Sequence, residues 1–207
     1  MAYKNSVKTR RDAWRTIQAI QNKEELKGNK FLPLITLYKE KIENELKNIC
    51  QDILALLDTH LLAKSHNPEA VVFFEKMKGD YFRYLGEFMV GDERKKVIDS
   101  AQDSYRRASD EAEKLKTTHP IRLGLALNYS VFYYEILNQP DIACKLAKNA
   151  FDNAIQDLEQ LEEEEYRDSA TIMQLLRDNL TLWTSDLVDG ADGGQMSGLF
   201  QMNDEQL

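Results

Sequence analysis

Long amphipathic runs with almost nothing to break them leave this chain little freedom to be anything but helix. Over 207 residues it carries 9 Gly and only 4 Pro. The breakers fall at seams: Gly28 with Asn29, residues 65–67, Gly91, residues 117–119 and Gln139 before Pro140. Each supplies turn conformations or interrupts the helical hydrogen-bond ladder. Between the seams the pattern predicts helices over about 2–22, 32–63, 68–90, 92–116, 120–138, 140–160 and 164–187, with Pro68, Pro120 and Pro140 as start signals. The expected fold class is all-α, about seven helices in one domain over 1–187. Residues 188–207 change character, with Gly190, Gly193, Gly194 and Gly198 among Asp and Gln. Too little apolar area lies there to offset ordering entropy, so this acidic tail is expected to be disordered.

Charge narrows the partners. A net charge of −8 argues against nucleic acid, whose binding is driven by a basic face. A local basic pocket inside an acidic shell would still accept one phosphate while repelling polyanions. No run reaches the uncharged length of a membrane span, and no signal peptide is found. Cys50 and Cys144 sit in apolar helical runs with no paired spacing, as reduced thiols of a cytosolic or nuclear protein do.

Signs of catalysis are missing. His60, His66 and His119 are scattered without metal spacing, and no nucleophile elbow or phosphate-binding glycine loop occurs, so neither metal nor cofactor is expected. The acidic run 162–165 points around a helix and reads as a solvated helix start. Arg106, Arg107, Ala108 and Ser109 form a basophilic kinase pattern, placed inside a helix.

Two stretches carry a candidate binding chemistry. In THPIRLGLALNYSVFYYE, residues 118–135, Asn128 and Glu135 share a helical stripe beside Leu127 and Val131. Such an amide could grip a peptide backbone, or be a buried amide satisfied by a neighbouring turn. In MKGDYFRYLGE, residues 77–87, Arg83 and Tyr84 stand side by side, with Lys76 two turns upstream. Lys4 and Arg11, seven apart, share one helix face. Three cations and a phenol could converge on one doubly charged oxyanion; alternatively, Arg11 and Arg83 pair with Asp80 and Glu87 on a solvated surface. A phosphoserine brings about −1.5 to −2 charges and three acceptor oxygens, and a guanidinium matches two of them at once. Asp80, one turn before Arg83, is placed to orient the cations.

These stretches, with SVFYYEILN and IMQLLRDNLTLWTSD (residues 172–186), resemble the 14-3-3 family of phosphopeptide-binding proteins over nearly the whole chain, from Ala2 to about Asp186. The resemblance implies an antiparallel helical array with a concave groove. It also implies a phosphate pocket of Lys4, Arg11, Arg83 and Tyr84, and peptide-backbone contacts from Asn128 and Asn179. The groove would be lined by Lys76, Glu135, Leu127, Val131, Ile172, Leu175, Leu182 and Trp183. Spacing agrees for Ile172, Leu175, Asn179 and Trp183, which recur at three or four residues, a stripe that periodicity alone would assign to core. The implied function is a non-catalytic adaptor for phosphoserine or phosphothreonine segments of client proteins, cytoplasmic or nuclear, with no nucleic-acid or membrane partner. The alternative is a helical-repeat scaffold that binds unmodified peptides through the apolar stripe; an enzyme acting on phosphate esters has no candidate base.

The resemblance begins inside the family's third helix. In relatives the first two helices dock on a partner subunit to make homodimers or heterodimers. Here the partner-facing surface that remains includes Ala13, Thr16, Ile20 and Tyr38, beside the apolar run 31–37. An exposed apolar patch normally finds a partner or aggregates, but half of a two-part interface rarely suffices for a tight dimer, so the chain is expected to be monomeric or weakly and heterogeneously associated.

Overall fold

The computed structural model describes residues 2–158 and 161–191 of the chain. Among them are seven α-helices and no strand: α1 (Ala2–Glu25), α2 (Leu32–Leu56), α3 (Pro68–Phe88), α4 (Gly91–Ala112), α5 (Pro120–Val131), α6 (Pro140–Asp157) and α7 (Glu163–Ala191). None is long and apolar enough to cross a membrane. Contacts gather into two compact units, Met1–Ser65 with Met77–Ser104, and His66–Lys76 with Tyr105–Leu207.

In the first unit α1 and α2 pair as a hairpin. α2 buries Ile42, Leu46, Cys50, Ile53 and Leu54, a spacing of three and four that makes one apolar stripe. Each buried leucine or isoleucine contributes roughly 2 kcal/mol. The hairpin turns at Gly28, whose φ of +63° a side chain resists. Asn29 follows, donating its N–H to Glu24 O at 3.2 Å and accepting from Phe31 N–H at 2.9 Å. On either side of the turn Ile20, Leu26, Phe31, Leu34, Leu37 and Tyr38 stand exposed. α2 continues through a π-helical turn, Leu57–Leu61, and a 3₁₀ turn, Leu62–Lys64.

The second unit is built around α5, α6 and α7. α5 contributes Leu123, Leu127 and Val131 to its core, and α7 contributes Ile172, Met173, Leu176 and Trp183. α6 contributes Ala143, Ala147 and Ala154, small residues that let its backbone approach closely. α5 starts at Pro120, with His119 as its cap: Nδ1 accepts from Ile121 N–H at 3.2 Å. α7 opens on Glu163, Glu164 and Glu165, where carboxylates favour the positive end of the helix dipole.

Most helix ends shift by a few residues from the pattern-based expectation, and three of the differences bear on the argument. α4 ends at Ala112 rather than near 116, and the Arg122 guanidinium donates to Leu115 O at 2.6 Å in the turns that follow. α7 runs to Ala191, so 188–191 are helical and only the rest of the expected disordered tail, 192–207, lies outside the described residues. After Val131 the ladder widens into a π-helical turn, Phe132–Ile136. Leu137 N–H reaches back to Phe132 O at 3.2 Å, and Gln139 N–H to Tyr133 O at 2.9 Å. Asn138 then takes φ 52°, a left-handed position that Asn tolerates, and Pro140 starts α6.

Candidate functional site

In the first unit α1 and α3 bring the cations together. Arg11 is 5 % exposed and Arg83 2 %, so neither lies on a solvated surface. Glu87 clamps Arg11 in a two-pronged pair: Nε donates to Oε2 at 3.0 Å and Nη2 to Oε1 at 2.6 Å. Arg15, one turn on, reaches the same Oε1 at 3.5 Å. Arg83 Nη2 lies 3.6 Å from Asp80 Oδ1, the i, i+3 placement expected of an acid that orients the cation. Both guanidiniums lie over the Tyr84 ring, Arg11 at 4.0 Å and Arg83 at 4.9 Å from its centroid, close enough for the ring to stabilise both charges. Lys4 is exposed, two turns before Arg11 and so about 10.5 Å along the axis.

The pairing with Glu87 and Asp80 that the sequence offered as the alternative to a binding site does exist, but in a buried setting. A buried charge survives only when paired and hydrogen-bonded, and here Glu87 fixes the guanidinium plane of Arg11 through both oxygens while Asp80 stands beside Arg83 at ion-pair distance. Among Arg11, Arg15, Arg83, Glu87 and Asp80 the cations outnumber the acids. Sequence reasoning missed Arg15; its signal was the i, i+4 spacing from Arg11, which puts both on one face. The thiol of Cys50 is pushed up to about 12 by burial, with Arg11 opposing and Glu87 reinforcing the shift.

In the second unit α5 and α7 present the two asparagines, each 8 % exposed. Asn179 Nδ2 is buried and makes no hydrogen bond among the described residues, a state that costs about 1–3 kcal/mol when no partner arrives. Leu127, Val131 and Ile172 belong to the core, with Leu175 and Leu182 half-buried against it. Trp183 is 1 % exposed, and its indole stacks on Tyr134 at 4.7 Å and 13°. Glu135 is exposed within the π turn, and Lys76 is half-buried. Ser109 lies in α4 with its hydroxyl donating to Tyr105 O at 2.8 Å, and Tyr105 and Ala108 beside it are fully buried. Both cysteines are free.

Comparison with known proteins places these sites in context. The 14-3-3 protein family model matches residues 1–184. The 14-3-3 protein theta of Homo sapiens is 56% identical over 200 residues, covering 94% of this chain and 81% of that protein. The checkpoint signal transducer rad24 of Schizosaccharomyces pombe is 56% identical over 202 residues, 96% of this chain and 75% of that protein. The 14-3-3 family protein artA of Aspergillus flavus is 58% identical over 187 residues, 89% and 79% of the two chains.

Proposed function

This chain belongs to the 14-3-3 family of phosphopeptide-binding adaptors, and from that premise we propose how its own residues divide the work. In the first unit Arg11, Arg83, Tyr84 and Lys4 take the phosphoryl group of phosphoserine or phosphothreonine segments of client proteins. The observation that carries the assignment is the pair of buried guanidiniums from different helices that both lie over the Tyr84 ring. Two planar forks, a phenol and an ammonium suffice to saturate three phosphoryl oxygens. In the second unit the amides of Asn128 and Asn179 take main-chain groups of the client, and Leu175 and Leu182 offer apolar contact. Main-chain contacts carry little sequence information, so this part of the binding is tolerant and the phosphoryl group decides.

The adaptor acts by binding alone, with no catalytic step, in the cytoplasm or nucleus. Calorimetry with one peptide in phosphorylated and unphosphorylated form tests the reading. The phosphorylated form should bind at least a hundredfold more tightly, since each charge-assisted hydrogen bond is worth about 1.5–3 kcal/mol. Arg83→Ala and Arg11→Ala should each abolish that preference while helicity by circular dichroism stays near wild type. Equal affinity of the two peptides for the wild-type chain would refute it.

A further inference from the structure

The π turn after α5 has a consequence for α7. An α-helix advances about 100° per residue, so the extra residue taken up between Phe132 and Leu137 re-aims the side chains of this stretch. Tyr134 meets α7 twice: its ring stacks on Trp183, and its hydroxyl donates to Asp186 Oδ2 at 2.7 Å. Trp183 and Asp186 are three residues apart and share one face of α7. The same phenol therefore touches both the indole and the carboxylate on that face of the helix. Asn179 lies one turn before Trp183, and Leu182 is its neighbour, so any roll of α7 about its axis displaces both. Leu182 packs on the cluster that contains Trp183.

We propose that Tyr134 is a positioning residue for client recognition: through Asp186 and Trp183 it sets the α7 face that carries Asn179 and Leu182, and thereby the preference for an apolar client side chain. The proposal rests on the groove reading above. Burial, reinforced by Asp186, raises the phenol well above its usual value, so the donor is present throughout the neutral range. A phenol bonded to a carboxylate is directional, which an apolar stack alone is not. The hydroxyl thus selects one among the rotations that stacking would tolerate.

The test uses the full chain with Trp14→Phe, which leaves Trp183 as its one tryptophan. Two phosphoserine peptides differing only in Leu or Ala at the apolar position, and the unphosphorylated Leu peptide, are titrated into this background and into Tyr134→Phe, Asp186→Leu and Asp186→Asn. Tyr134→Phe and Asp186→Leu should each cut the Leu-over-Ala preference about fivefold, redshift Trp183 emission and increase its quenching by acrylamide. Asp186→Asn, which keeps an acceptor, should retain most of the preference. A merely structural role would lower the unfolding midpoint and weaken both phosphopeptides equally, and that result would overturn the proposal, as would unchanged emission and preference in Tyr134→Phe. Should the unphosphorylated peptide bind as tightly as its phosphorylated twin, the phosphate reading fails, while the Leu-over-Ala preference and the emission still judge the role of Tyr134.

Discussion

Glu87 shows how a single carboxylate can organise a cation site. With its side chain 10% exposed it serves Arg11 through both oxygens and Arg15 through one. Glu87→Gln keeps the shape and removes the charge, leaving buried cations undercompensated. Breaking such a pair costs about 3 kcal/mol, so urea denaturation should show a loss of that order, and inorganic phosphate, by supplying an anion to the same cations, should restore part of it. The phenol of Tyr81 gives a second test. Burial pushes it up to about 12, against an ordinary value of about 10. A phenol that resists ionisation in the folded state leaves stability at its full value below pH 10 and lowers it progressively as pH rises towards 12. Tyr81→Phe should therefore flatten the fall of the urea midpoint across pH 10–12 and leave it little changed at pH 7.

At the scale of helices, the seams were legible and the irregularities were not. Gly28, Gly91, Pro68, Pro120 and Pro140 mark starts and stops because each acts through its own backbone, whatever surrounds it. The π turns at Leu57–Leu61 and Phe132–Ile136 follow from packing and leave the apolar pattern readable as plain helix. Trp183 shows the same limit. Its spacing from Ile172, Leu175 and Asn179 announces a shared face, but not whether the indole points out or in, and Tyr134 decides that. The buried state of Arg11 and Arg83 was equally hidden, since Glu87 and Asp80 pair with them whether the setting is wet or dry. The αL seam yields a prediction at this scale. A Cβ at Gly28 would meet nothing within 4 Å, so Gly28→Ala should cost only the backbone penalty of about 1–2 kcal/mol, visible as a lower unfolding midpoint with phosphopeptide affinity unchanged.

For the molecule as a whole, a net charge of −8 surrounds a site whose cations outnumber its acids. Phosphopeptide affinity should fall as salt screens the pocket, whereas duplex DNA should show no measurable binding at about 0.15 M salt; fluorescence anisotropy with labelled peptide and labelled duplex checks both. The unpartnered Nδ2 of Asn179 bears on how such a chain changes under selection. Filling that position with a hydrocarbon, as in Asn179→Leu, should raise the urea midpoint of the isolated chain while weakening phosphopeptides. Screens that reward only heat resistance would then drift toward a sturdier molecule that no longer recognises its clients, with the asparagine among the first residues surrendered.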